Sequence, residues 1–174
     1  MTFSAISQQI LVGLSKTTIL FIVASGLSLV LGVLRIPNVF HGSLYMIGAF
    51  VAYTVSSALG GTTVGFLVAL LVAPLAVALI SLLVERALLS RLYDREHLML
   101  LLFTFSIMLI FQDLVKIVWG SDYRSLSLPF ELQGSFTWAD LHLPRYNLFL
   151  LCVGPMVAFG LWFLTNKTKI GKIS

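Results

Sequence analysis

Residues 34–50 read LRIPNVFHGSLYMIGAF. An apolar run arrives at Leu34, is interrupted by Arg35, Pro37, Asn38, His41 and Gly42, and resumes at Ser43. Pro37 denies helix to Ile36 and supplies no amide donor. Gly42 permits close approach or unusual dihedrals. Asn38 and His41 offer side chains that can satisfy freed backbone groups or cap the helix beginning near His41. In a water-soluble chain this would be an ordinary turn. The rest of the sequence shows that the chain is not of that kind.

The chain of 174 residues is 59% hydrophobic and 10% charged, with a mean hydropathy of +1.02. An average soluble domain carries about 25% charged residues. So few charges cannot cover a water-exposed surface of this size, so lipid is the solvent for much of it. The net charge of +4 comes from cations clustered between apolar runs. That is a topology signal and gives no reason to invoke nucleic acid. The single Cys152 has no internal disulfide partner. Residues 1–15 carry no charged side chain and the apolar run that follows is long. The first run therefore reads as a retained helix, although the small residues of "IVASG" would also suit a cleavage site.

Five stretches approach the roughly 20 apolar residues that cross a bilayer: Ile10 to Leu34, His41 to Leu59, Val64 to Val84, Leu98 to Trp119 and Tyr146 to Thr165. Their length and lack of period-two alternation predict helices, hence an all-α integral membrane fold in one transmembrane domain. Alternate connectors hold Arg35, then Arg86, Arg91 and Arg95, then Lys167, Lys169 and Lys172. The positive-inside rule places these in the cytoplasm and the N-terminus outside.

Lipid tails are as apolar as leucine, so small residues that permit close approach drive helix association. Ala24, Ser28 and Gly32 recur every four residues in the first span, and Gly48, Ala52 and Ser56, followed by Gly60, in the second. Both faces are expected to be buried in helix contacts, although Gly, Ala and Ser are also common in membrane helices generally. Pro74 and Pro155 are expected to kink the third and fifth spans.

Polar positions within the spans are costly and therefore informative. Lys16 is placed to snorkel to the outer headgroups. Gln112, Asp113 and Lys116 lie toward the outer end of the fourth span, and the spacing of Asp113 and Lys116 lets them pair. They form either a self-neutralising pair near the headgroups or a polar wall facing a water-filled path. The Asn38–Gly42 break has the same two readings: a capped connector, or exposed backbone for a transported molecule. His41, His97 and His142 are scattered, and the sequence has no phosphate-binding glycine loop with a lysine. No enzyme constellation emerges.

Residues Gly26 to Tyr53 resemble the branched-chain amino acid permease family of ABC importers, the LivH-like membrane subunits. The resemblance rests on Asn38, His41, Gly42, Leu44, Tyr45, Met46, Gly48 and Ala49, and is extended by "ERALLSRL", "FQDLVKIVWGSDYRSL" and "NKTKIGK" in order. It implies a multi-pass subunit of the plasma (inner) membrane, itself non-catalytic and binding no cofactor. Its partners would be a second permease subunit, cytoplasmic ATP-binding subunits that use ATP and Mg, and an external substrate-binding protein. Asn38, His41, Gly42, Gln112 and Asp113 would line the substrate path. Arg86, Arg91, Lys167, Lys169 and Lys172 would face the cytoplasmic partners. Lys16 departs from the family pattern. The chain stops at Ser174, before the family's coupling helix, so a truncated product is expected. The same architecture carrying urea or short amides, or a membrane scaffold with no path, are the competing readings.

Overall fold

A computed structural model of the chain describes residues 3–34, 38–93, 95–126, 128–138 and 141–167. Arg35, Pro37, Lys169 and Lys172 lie outside the described residues. Five helices form: α1 (Phe3–Leu34), α2 (His41–Ala58), α3 (Thr63–Ala87), α4 (His97–Trp119) and α5 (Arg145–Lys167). The described residues also include a short hairpin, β1 (Ser135–Trp138) paired antiparallel with β2 (Leu141–Pro144). The chain divides into two compact units, Met1–Leu34 with Phe130–Ser174, and Arg35–Pro129.

In the first unit α1 packs against α5. Ser15 and Thr18 are buried on α1, and their hydroxyls donate to Val12 O and Leu14 O of the same helix, so no polar group is left unsatisfied. Thr18 presses on Gly154, where a Cβ would fall 2.8 Å from Thr18 Cγ2. Further along, residues 21–29 of α1 and 158–165 of α5 line one groove. Contacts therefore advance together along both chains, and α1 and α5 run in the same direction. Leu143 of β2 is buried, and β2 packs against α1.

This geometry changes one expectation. Ala24, Ser28 and Gly32 are exposed, and nothing lies within 4 Å of a Cβ placed on Gly32. The buried face of α1 is the neighbouring one, set by Ser15 and Thr18, because Gly154 supplies the small surface that a β-branched side chain can approach.

In the second unit α2 and α3 form the most extensive helix pair. A Cβ on Gly48 would meet Val77 Cγ2 at 3.2 Å, and one on Gly65 would meet Leu59 Cβ at 2.9 Å and Ser56 O at 3.2 Å. Pairing 48 with 77 and 56 with 65 makes the helices antiparallel. Ser56 is buried and Ala52 half-buried on α2. Facing them, Gly65, Ala69 and Ala73 are buried on α3. Gly60 does not continue the stripe. It and Gly61 have φ of 69° and 64°, the left-handed conformation that glycine adopts without a Cβ penalty, and they turn the chain between the helices. Thr62 then caps α3 by accepting from Gly65 N at 3.2 Å. Pro74 and Pro155 lie inside α3 and α5, each removing one backbone hydrogen bond.

α1, α3, α4 and α5 are long and apolar enough to cross a membrane. α2 has 18 residues, about 27 Å of rise.

Candidate translocation-path segment

The break is anchored by a residue that composition would not single out. Phe40 is 1% exposed and sits in a core with Leu44, Val84, Leu89, Leu100 and Ile107. Its ring lies 4.9 Å from that of Phe111, tilted by 52°. Asn38 Oδ1 accepts from Phe40 N at 3.0 Å, and Asn38 O accepts from His41 N at 3.4 Å. Asn38 thus closes the turn, while His41 is the first helical residue and half-buried. Phe40, at the cap position, makes no side-chain cap bond. Gly42 is exposed, and a Cβ there would meet nothing within 4 Å. At Gly42 the first turn of α2 therefore has open space beside its backbone, while its amides at 41–44 are paired within the turn.

Two side-chain hydrogen bonds fix where α2 sits along α4. Ser43 Oγ donates to Met108 O at 3.2 Å, and Trp119 Nε1 donates to Thr54 Oγ1 at 2.8 Å. Each bond joins residues 65 apart in sequence, so α2 and α4 run parallel and in register. Met108 is the midpoint of α4. The start of α2 therefore lies beside the middle of a helix long enough to span the membrane.

The structure brings the break beside the Met108–Phe111 turn, adjoining Gln112. Gln112 is half-buried. Asp113 points outward and pairs with Lys116 at 3.0 Å, their side chains 71% and 60% exposed. They share the exposed face of α4 with Leu109, Ile110 and Ile117. Among the described residues no hydrogen bond joins Gln112 or Asp113 to Asn38 or His41.

At the far end of α2, Phe50 and Trp119 rings pack at 5.4 Å. Arg124 donates to Trp119 O at 3.0 Å and lies 5.5 Å over the Tyr53 ring, a cation placed at the C-terminal end of α4. At the opposite end of α4, Leu89 is buried in the Phe40 core while Arg86 and Arg91 are exposed. Tyr93 there donates to Glu85 Oε1 at 3.2 Å. Burial first, and then the Glu85 carboxylate, hold the Tyr93 phenol above its ordinary value. Lys16 is exposed on α1.

Several of these residues escaped the sequence reading. Gly65, Ala69 and Ala73 carry the same four-residue spacing that marks α2, so their signal was present. Phe40, Ser43, Thr18 and Gly154 carry none: one aromatic or small residue among many acquires a role only when its partner is known.

The described chain, almost wholly helical and exposing long apolar faces, is that of an all-α, multi-pass integral membrane protein of the inner membrane. A family model described as branched-chain amino acid transport system / permease component matches residues 9–174, and the chain belongs to that permease family, whose members are non-catalytic membrane subunits of transporters. It is 22% identical over 175 residues to the high-affinity branched-chain amino acid transport system permease protein BraD of Pseudomonas aeruginosa, an alignment covering 95% of this chain and 56% of BraD. The chain thus spans little more than half the length of that relative. No solved structure matches it.

Proposed function

We propose that the chain serves as transmembrane permease subunit of an ABC importer for branched-chain amino acids. Its expected partners are a second permease subunit, cytoplasmic ATP-binding subunits that consume ATP and Mg, and an external substrate-binding protein. The family match supports the class. The observation that carries the site is the Ser43–Met108 hydrogen bond, which sets the first turn of α2 at mid-depth of α4. Irregular backbone at such depth is tolerated where it is buried in protein or lines a cavity. The positive end of a helix dipole also favours a carboxylate such as that of an amino acid. Asn38, His41 and Gly42 would then face the path, with Gln112 beside them and the Asp113–Lys116 pair toward its outer end.

Helix directions support five crossings, and the basic connectors favour the N-terminus outside. Were α2 not to cross, α1, α3, α4 and α5 would alternate and α5 would oppose α1. Instead α1 and α5 share a direction, as do α2 and α4. Arg86, Arg91, Lys167, Lys169 and Lys172 then fall on the cytoplasmic side, where the ATP-binding subunits dock.

Uptake of radiolabelled leucine tests the reading, in cells lacking this subunit and supplied with the chain and its partners. Unlabelled leucine is expected to compete and urea not to. Asn38→Leu, His41→Leu and Gln112→Leu should abolish uptake at unchanged protein level. Competition by urea would instead assign an amide cargo, and uptake untouched by all three substitutions would leave a membrane scaffold.

A further inference from the structure

The three helices of the second unit are joined unequally at their two ends. At the start of α2, Phe40 and Leu44 are buried together with Val84, Leu89 and, from α4, Leu100 and Ile107, and Phe103 and Phe111 pack against them. α2 and α3 stay in close contact along their length, from Gly48 against Val77 to Ser56 against Gly65. Past Phe111, α4 buries only Val115, and its end is tied to α2 by side chains that are exposed or half-buried.

Those ties centre on Trp119, the last residue of α4. Its Nε1 donates to Thr54 Oγ1 at 2.8 Å, and its ring packs against Phe50 at 5.4 Å. Gly120 follows with a φ of 82°, and the chain folds back so that Arg124 donates to Trp119 O at 3.0 Å. The same guanidinium lies 5.5 Å over the Tyr53 ring and donates to its hydroxyl at 3.5 Å. Residues 119–124 thus form a strap that crosses from α4 onto Tyr53 and Thr54 of α2. Exposed hydrogen bonds and cation–π contacts exchange readily for other polar partners, whereas separating the Phe40 end would expose a buried apolar core. Any parting of α2 from α4 therefore begins at the strap, with the Phe40 end as pivot, and α3 moves with α2.

We infer that the Trp119–Arg124 strap is a releasable latch closing the far end of the α2–α4 interface, and that α2 and α3 swing from α4 as one body about the Phe40 end when it opens. The use of this movement rests on the transport reading, in which the path runs beside Asn38–Gly42 and Gln112. Release of the latch opens the α2–α4 interface outward from Gln112, the direction from which external substrate arrives.

Spin labels read the movement independently of transport. In a Cys152→Ser chain reconstituted in lipid, Ala58→Cys with Val118→Cys reports the latched end and Tyr45→Cys with Ile110→Cys the pivot, all four positions being exposed. Trp119→Phe with Arg124→Gln keeps a ring against Phe50 but removes the indole donor and the cation. It should lengthen the first distance by about 5 Å or more and leave the second unchanged. Tyr53→Leu with Thr54→Val, which removes the partners on α2, should do the same. Lengthening of both distances would mean a general loss of packing, and no change in either would mean that the strap holds nothing; each outcome overturns the latch. In the leucine uptake assay, a bis-methanethiosulfonate joining cysteines 58 and 118 across the latched distance should abolish uptake until reductant cleaves it. Uptake that survives the cross-link would also overturn the latch. Absence of uptake from the chain without substitutions would instead refute the transport reading, and the two distances would still decide whether the strap opens.

Discussion

Thr18 and Gly154 hold α1 and α5 together at a point with no room for one more methyl group: a Cβ on Gly154 would fall 2.8 Å from Thr18 Cγ2 and 3.2 Å from its Oγ1. Gly154→Ala must displace a β-branched side chain that is itself buried, so it should destabilise the chain by about 1–3 kcal/mol. Gly160→Ala, with nothing within 4 Å of the new Cβ, should change stability by less than about 0.5 kcal/mol. Unfolding by SDS titration in mixed micelles compares them.

The α2–α3 contact should show a graded response. A Cβ at Gly65 meets a backbone oxygen and a Cβ, whereas one at Gly48 meets the methyl of Val77. Backbone yields less than a side chain, so Gly65→Ala should cost more than Gly48→Ala, about 1–3 kcal/mol against less than about 1 kcal/mol. The same titration reads both, and a reversed order would contradict the pairing of residue 56 with 65.

Phe40→Ala should cost about 3–5 kcal/mol, the range for emptying a buried aromatic site. Phe40→Leu should recover much of it. Because Phe40 anchors the turn, Phe40→Ala should also raise amide hydrogen exchange across residues 38–44, while exchange in α5 stays unchanged. Mass-detected exchange of the reconstituted protein would show this.

Arg91 and Ser125 are both exposed and stand on opposite sides of the membrane in a five-crossing path. In a Cys152→Ser background, Ser125→Cys should react with an impermeant maleimide added to intact cells. Arg91→Cys should react only after permeabilisation. Equal labelling of the two in intact cells would refute the crossing count.

Tyr93 should titrate above the ordinary phenol value of 10.0. Its folded-state pKa is raised, so the stabilisation from its protonated form is complete below the unfolded pKa and is lost as pH rises through the folded one. Glu85→Gln should lower the midpoint only partway, because burial is the larger cause and the carboxylate the second. Absorbance titration, taken as the difference between the chain and its Tyr93→Phe variant, isolates this phenol.

Composition and the length of the apolar runs alone determined that this is a helical membrane protein, because a bilayer admits few ways to satisfy a backbone. The five helices start and stop within a few residues of where hydropathy, Pro37, Gly60 and the charged connectors put them, except that α1 begins earlier. The Asn38–Gly42 motif was legible as a break, and the stripe on α2 as a place where another helix could come close. Which faces meet was not legible. The regular stripe on α1 stands exposed while Thr18 makes the contact with Gly154, because complementarity belongs to a pair of surfaces and Gly154 lies more than a hundred residues away. The 135–144 hairpin went unread because four-residue strands carry too little alternation to stand out. Where along α4 the break sits was likewise open until the tertiary structure placed Ser43 against Met108, since a local sequence signal does not name its neighbour in another helix.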